Sequence, residues 1–275
     1  MKARGDSGFC SIGAPTLCSF GPLAHPPLHI LWCDEDLVAV YKPAGWLVHR
    51  TGLDAGETRF VMQALRDQLG RHVYPVHRLD KGTCGVLLMA LHPEAARALG
   101  QSFERHAVRK RYLALVRGWV PGAVDVDHAL RPDDAPPDAP VQPAHTRFCG
   151  LARLDWPEAA DPRFATTRLS LVEAWPTTGR RHQVRRHLKH LAHPIIGDAT
   201  HGKGPLNRWW AERLGLQRLW LHAWQIAVPH PATGAPLVID SGVRWPGAGA
   251  DAVPADAQDW QRLLGHSGWR PMEGT

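Results

Sequence analysis

The feature that most constrains the fold is a charged turn that leads straight into an apolar run. The turn is His77-Arg78-Leu79-Asp80-Lys81-Gly82-Thr83-Cys84-Gly85, and the run is Val86-Leu87-Leu88-Met89-Ala90-Leu91. A short unbroken apolar run after a glycine-rich turn predicts a buried strand. Asp80 would then be fixed by the sheet yet open to a substrate, and its neighbours Arg78 and Lys81 favour the ionised carboxylate. Such a carboxylate can act as a nucleophile or general base, or can simply cap the turn.

Composition excludes several classes of protein. The chain has 275 residues, enough for a substantial core, and no apolar run is long enough to span a bilayer. Its five cysteines are scattered and none forms a Cys-x-x-Cys pair, so we expect neither a zinc site nor a disulfide framework, and we expect a reducing cytoplasm. The net charge of +6 and the pI of about 9.3 are compatible with a polyanionic partner.

The chain divides into three parts. Residues 1–27 are rich in Gly, Pro and Ser and have no secretory apolar stretch, so we expect a disordered extension. Residues 28–245 form the predicted catalytic domain. Within it, residues 131–145 contain five prolines and predict a long surface loop. Residues 246–275 are expected to form a tail with one short helix, whose apolar side is Trp260, Leu263 and Leu264.

Periodic patterns predict an α+β domain with a central mixed, mostly antiparallel sheet, flanking helices and a cleft across the sheet. Alternating or unbroken apolar segments predict the strands, at 37–41, 46–49, 86–91, 109–116, 166–175, 219–228 and 237–239. Apolar residues at three- and four-residue spacing predict the helices, at 57–69, 93–106 and 180–191.

The last of these helices carries a dense positive charge. Five cations and no acid occur in the segment, namely Arg180, Arg181, Arg185, Arg186 and Lys189. A solvated helix face is the ordinary explanation of such a run. This run, however, begins at a tight turn and a helix N-terminus, where backbone groups already favour anions, so phosphates are the better match. His187, His190 and His193 are spaced three apart, but no acid or cysteine completes a metal site and Pro194 ends the helix.

The turn sequence His-Arg-Leu-Asp-x-x-Thr-x-Gly before an apolar strand resembles the catalytic motif of the RluA-type pseudouridine synthases. Three other segments resemble motifs of that family in the right order, namely 42–49, 109–116 and 179–198. The resemblance covers roughly residues 30–240 and implies a pseudouridine synthase catalytic domain with a basic cleft. Cys84 departs from the pattern, because the family usually has Ser there, and any hydrogen bond from that hydroxyl is in question.

The resemblance implies a role for each site residue. Asp80 would be the essential catalytic carboxylate, and Arg185 would pair with it. Tyr112 would act as general base or stack on the base. Arg180 would face the substrate, and Arg78 would fill the space that a flipped-out base leaves. The remaining predicted RNA contacts are Arg181, Arg186, Lys189 and Lys42, although Lys42 could instead serve a structural role near the cleft. The reaction is redox-neutral and adds no group, so it implies no cofactor and no metal.

The substrate implied is a uridine in a structured RNA. Segments 45–50, 201–208 and 215–219 most resemble family members that act on the T-stem of tRNA. A ribosomal RNA substrate and a catalytically inactive RNA-binding protein remain alternatives. We expect a monomer with no membrane association.

Overall fold

The computed structural model describes residues 25–50, 56–133, 135–136, 138–244 and 254–272. The expected N-terminal extension lies outside this part of the chain except for residues 25–27, and so do residues 246–253 and 273–275 of the expected tail. None of the helices described is long and apolar enough to cross a bilayer.

The described residues form one mixed sheet with helices around it. The strands are β1 Ile30–Cys33, β2 Leu37–Lys42, β3 Tyr74–Pro75, β4 Cys84–Ala90, β5 Arg109–Arg117, β6 Ala123–Asp127, β7 His145–Trp156, β8 Thr167–Pro176, β9 Leu221–Pro229, β10 Pro236–Asp240 and β11 Arg270–Pro271. The helices are α1 Val61–Leu69, α2 Pro93–Glu104, α3 Gln183–His190, α4 Gly204–Leu214 and α5 Gln258–Leu264. The predicted α+β class, with a mostly antiparallel sheet and flanking helices, is therefore confirmed.

Strand β9 lies at the centre of the sheet and joins its two halves. The strand order is β1-β2-β4-β9-β5-β8-β7-β11, with β3 on β4, β6 on β7 and β10 on β9. The ladders within the described residues are antiparallel except for β4 and β9, which run parallel. At that pairing Gly85 has φ +109°, and a Cβ on it would lie 2.1 Å from the carbonyl oxygen of Ala223. Only glycine can occupy this position without moving the strand.

Most of the predicted elements are confirmed, with differences at their ends. Helix α1 begins at Val61 rather than 57, because Phe60 is extended, and it ends at Gly70 in the left-handed conformation as predicted. Helix α3 begins at Gln183 because the three residues before it form a turn, with His182 at φ 56°. Residues 46–49 are not a strand. They form a loop with one bridge from Leu47 to Phe60.

Six of the elements described had not been predicted: the strands β1, β3, β6, β7 and β11 and the helix α4. The short helix expected near the C-terminus is α5, and its Trp260 is fully buried. The Trp260 ring packs 5.3 Å from Trp220 and 5.4 Å from His222, measured between ring centroids. Residues 258–264 therefore belong to the main core around β5, β7 and β8.

Candidate active site

Asp80 lies on the turn that leads into β4, and three contacts fix that turn. The backbone carbonyl of Lys81 accepts hydrogen bonds from the Gly45 amide at 2.8 Å and the Lys42 ammonium at 3.1 Å. His77 Nε2 accepts from the Leu88 amide at 2.9 Å. Burial and then Lys110 lower the pKa of His77 to about 3, so the ring is neutral and can accept this bond. The scaffold therefore holds Asp80 rigidly while leaving its side chain half-buried at the cleft.

Arg185 contacts Asp80 and is itself held by Asp198. Its Nη1 donates to Asp80 Oδ2 at 3.0 Å. Its Nε and Nη2 each donate to an Asp198 carboxylate oxygen at 2.8 Å, in a bidentate pair. Asp198 is 1% exposed. Burial alone would raise the pKa of Asp198, but the bonds from Arg185 and from the backbone amide of His201 outweigh burial and lower it. Asp198 thus fixes the Nε–Nη2 edge of the guanidinium, and Nη1 is directed at Asp80.

Tyr112 lies in β5 beside the same turn. It pairs with Ala174 of β8 and Ala223 of β9, next to a bulge in the β5–β9 ladder. Burial, and then the Asp80 carboxylate, raise the pKa of the Tyr112 phenol. The hydroxyl is therefore protonated at neutral pH, which favours a phenol that packs or donates a hydrogen bond over a resting phenolate base.

These three residues line one cleft of about 470 Å³. That volume lies within the range of about 300–1,000 Å³ typical of small-molecule sites. Arg78, Arg180 and Arg181 also line it, whereas Arg186 and Lys189 lie on α3 outside the lining. Lys110, which the sequence analysis had not singled out, lines it too and donates to the Thr178 carbonyl at 3.0 Å. Burial lowers the pKa of Lys110 to about 8.

The expectation that Lys42 contacts RNA is wrong in this structure. Lys42 is the last residue of β2 and is fully buried. Its ammonium donates to the carbonyls of Pro43 and Lys81, at 2.9 and 3.1 Å. Burial lowers the pKa of Lys42 to about 7. The position agrees with the structural alternative, because Lys42 supports the Asp80 turn from beneath.

Cys84 contacts a histidine and an arginine that its sequence position had not indicated. Its Sγ lies 3.1 Å from His222 Nδ1 and accepts from Arg218 Nη2 at 2.7 Å. His222 Nε2 in turn lies 2.7 Å from Ser241 Oγ. Burial would raise the pKa of the Cys84 thiol, but His222 and Arg218 outweigh it and lower that pKa to about 6. The turn survives the change from Ser, and the lowered pKa of the thiol beneath it favours the thiolate.

Two groups among the described residues bring three potential metal ligands together. The first group is Asp133, His182 and His201, and the second is Asp34, Asp36 and His230. Within each group, the potential ligand atoms lie within 4.8 Å of one another. Arg181 and Arg186 lie against Asp133, and their charges work against a cation there. The three spaced histidines do not converge. His187 contacts Thr146 and the His128 carbonyl, His193 contacts the Arg117 carbonyl, and His190 stacks on His128.

Sequence reasoning missed Asp198 and His182. Asp198 follows Gly197, whose φ is +77°, at a tight approach to the Arg218 carbonyl, so the Gly-Asp pair was a usable signal. His182 Nε2 lies 4.0 Å from Asp80 Oδ2, and its Nδ1 lies 2.8 Å from Asp133 Oδ2. No local sequence pattern predicts the contact between His182 and Asp133, because Asp133 comes from the proline-rich loop.

The geometry defines an enzyme site in which a carboxylate, clamped by an arginine, faces a basic cleft. The family model described as RNA pseudouridylate synthase matches residues 36–190. Since this match spans more than half of the chain, the protein belongs to that family and is an RNA pseudouridine synthase, an isomerase.

Named relatives agree with this assignment, and a solved structure has a similar fold. The tRNA pseudouridine synthase C of Salmonella typhi is 48% identical over 259 residues, covering 89% of this chain and 92% of the relative. The Vibrio cholerae protein of the same name is 47% identical, covering 88% of this chain and 97% of the relative. The fold is similar to that of Human RNA Pseudouridylate Synthase Domain Containing 1, with a TM-score of 0.65, 24% identity, and coverage of 93% of this chain and 92% of the other.

Proposed function

We propose that this enzyme converts one uridine in the T-stem of tRNA, uridine 65, to pseudouridine. The Asp80 carboxylate would act on the uridine after the base has flipped out of the stem. The observation that carries the proposal is the Asp80–Arg185 contact of 3.0 Å at the cleft, with Arg185 fixed by Asp198. A tRNA substrate implies that the enzyme works in the cytoplasm.

The reaction needs a carboxylate and no added group. The glycosidic bond between N1 of the base and C1′ of the ribose breaks, and a bond between C5 and C1′ forms. A proton leaves C5, and N1 ends with one, so atoms and electrons balance. Ionised Asp80 could attack the sugar or the base, or take a proton from the ribose. Arg185 holds the carboxylate in its orientation in each case through the 3.0 Å hydrogen bond.

The other predicted site residues would support base flipping and RNA binding. A target base in a stem must leave the stack before its glycosidic bond can be reached. Tyr112 would contact the extruded base beside Asp80, and its protonated phenol suits packing or hydrogen bonding there. Arg78 is exposed on the turn two residues before Asp80 and would fill the space left in the stem. Arg180, Arg181, Arg186 and Lys189 would bind backbone phosphates, which makes RNA affinity fall with salt.

The choice of tRNA rests on the relatives. The Salmonella and Vibrio proteins carry tRNA in their names and match over nearly their whole length. The catalytic core alone does not distinguish tRNA from ribosomal RNA.

The decisive experiment maps pseudouridine in the tRNA and ribosomal RNA of a strain that lacks this gene. The expected result is loss of one pseudouridine in the tRNA T-stem, restored by the wild-type gene and not by Asp80→Asn. Loss of a pseudouridine from ribosomal RNA instead would show that ribosomal RNA, not tRNA, is the substrate. Unchanged maps, together with tRNA binding but no isomerisation by the purified protein, would favour a non-catalytic RNA-binding protein.

A further inference from the structure

The loop that begins at Arg131 contacts three of the cations predicted to bind RNA. Arg186 Nη1 donates to the Arg131 carbonyl at 2.6 Å, and Arg180 Nε donates to the Pro143 carbonyl at 3.1 Å. The Asp133 carboxylate lies 3.2 Å from Arg186 Nη1 and 3.5 Å from Arg181 Nε. Oxygen atoms of the protein itself therefore occupy the positive end of α3.

Asp133 is the centre of this arrangement. Its Oδ1 faces Arg186, while its Oδ2 faces Arg181 and lies 2.8 Å from His182 Nδ1. Carboxylates and phosphates are recognised by arginine through the same charge-assisted geometry. An anion held by two guanidinium groups and an imidazole at a helix N-terminus is the kind of contact that nucleic-acid phosphates make.

The Asp133 carboxylate lies near the catalytic site, on the other side of His182 from Asp80. The imidazole of His182 separates the two acids, with Nδ1 toward Asp133 and Nε2 4.0 Å from Asp80 Oδ2. A group that replaced the Asp133 carboxylate would be separated from the Asp80 carboxylate by the imidazole ring of His182. The anionic groups of an RNA that are nearest to its target nucleotide are the backbone phosphates on either side of that nucleotide.

We propose that Asp133 occupies a phosphate subsite formed by Arg181, His182 and Arg186, and that an RNA backbone phosphate displaces it on binding. The inference rests on the proposed function for the identity of the polyanion. Asp133 competes within the molecule for the RNA-binding cations, so only the fraction of molecules in which it has released them can bind. The apparent affinity is reduced by that fraction. Asp133 is here a residue that tunes RNA binding, not a catalytic residue.

The test compares two substitutions that remove the same charge from the same loop. Asp133→Asn removes the competitor, while Asp138→Asn removes an exposed carboxylate of the loop. Equilibrium binding of an unmodified tRNA transcript would be measured for both variants and for the wild type at one salt concentration, after thermal melts have shown that all three fold. We expect Asp133→Asn to bind about threefold to tenfold more tightly, the range that two partly exposed ion pairs can supply. We expect Asp138→Asn to stay within about twofold of the wild type.

Two outcomes of this comparison would overturn the proposal. Equal gains in tRNA affinity in the two variants would show that the effect comes from net charge alone. Weaker binding by Asp133→Asn would make Asp133 a structural support of the RNA-binding surface.

A second measurement needs no variant and covers the case in which Asp133→Asn does not fold. The Ala135 amide donates to the Pro132 carbonyl at 3.1 Å, within the same loop. Hydrogen exchange of a peptide covering 131–136 would be followed in the wild-type protein with and without saturating tRNA. Faster exchange with RNA supports displacement, and exchange that is slower or unchanged contradicts it. Both measurements report binding, so a protein that binds tRNA without forming pseudouridine would refute the proposed function and leave this inference standing.

Discussion

Nη1 of Arg185 donates a 3.0 Å hydrogen bond to Oδ2 of Asp80, across 105 positions of sequence. The donors of the guanidinium that face the protein are taken by Asp198, so the arginine cannot turn away. The segment that follows β8 thereby determines the orientation of a carboxylate on the turn before β4. A change in any of these three side chains should therefore be felt at the carboxylate of Asp80.

Asp80→Asn should fold, bind tRNA as tightly as the wild type within about threefold, and lose at least about 10³-fold in turnover. The amide is the same size but can neither attack nor accept a proton as a carboxylate does. Pseudouridine formation on a tRNA transcript measures the loss, and Asp138→Asn is the matched control. Appreciable turnover by the Asp80→Asn enzyme would exclude a mechanism that depends on the Asp80 carboxylate.

Arg185→Lys should lower turnover by about 10²-fold and change RNA affinity little. An ammonium keeps the charge but cannot hold Asp198 in two bonds and reach Asp80 with a third. Single-turnover rates at saturating enzyme separate the chemical step from binding. A rate near that of the wild type would show that charge alone is sufficient.

Asp198→Asn should lower kcat about tenfold with little change in KM, and should destabilise the fold by about 2 kcal/mol. Asp198 is buried, so it reaches RNA only through Arg185, and removing its charge leaves the arginine partly unpaired. Asp240→Asn is the control, since Asp240 pairs with Arg244 at the surface and its loss should cost less than about 1 kcal/mol. Urea unfolding and steady-state kinetics on both variants test the contrast. A change in KM alone would point to direct RNA contact.

Tyr112→Phe should keep RNA affinity within about threefold and lower turnover by about 10²-fold, because the ring remains while the hydroxyl beside Asp80 is lost. Since the pKa of Tyr112 is raised, the wild-type rate should show no rise from phenol ionisation between pH 7 and 9. A pH profile of the single-turnover rate measures this. A rise across that window that Tyr112→Phe abolishes would identify a phenolate base.

Cys84→Ser should retain turnover within about twofold and change how stability depends on pH. The folded thiol has a pKa of about 6, whereas its ordinary value is 9.0. Between these values the unfolded state binds more protons, so stability rises with pH, and the contribution is lost as pH falls through 6. We expect the wild type to gain of the order of 2 kcal/mol more than Cys84→Ser between pH 6 and 9. The lowered pKa of Lys42 acts in the same direction in both proteins, and it acts more strongly in Cys84→Ser because the Cys84 charge raises the pKa of Lys42. The difference between the two unfolding curves is therefore smaller than the shift of the thiol alone would give. Parallel curves would show that the thiol is neutral throughout.

Local patterns in the sequence were enough for most of the fold. The apolar run after Asp80 predicted β4, and the four-residue spacing before Gly70 predicted α1, because burial of one face or both imposes those periods. Strand β7 was missed although its burial alternates, since small residues such as Gly150 and Ala152 on the buried side weaken the pattern. Helix α4 was missed although Leu206, Trp210 and Leu214 recur at four-residue spacing, which is a helical pattern present in the sequence.

The site was harder to predict than the fold. Motif resemblance selected Asp80, Tyr112 and Arg185, and the structure brings them to one cleft, but their catalytic roles stay predictions until the variants are measured. Lys42 misled because a lysine before Pro and Gly looks solvated, whereas here it ends a strand with both faces covered. Asp198 and Asp133 act through tertiary contacts of Arg185 and His182, and no periodicity encodes a contact of that kind.

The central place of β9 has a consequence for protein synthesis. Among the described residues, the half of the sheet next to Asp80 and the half next to Arg185 are hydrogen-bonded together through β9, residues 221–229, which follow both site residues in the chain. Domains generally fold as units once their segments have emerged. A nascent chain therefore has no assembled catalytic centre until β9 has emerged, and a product cut short before Leu221 would carry both halves of the site without the strand that unites them.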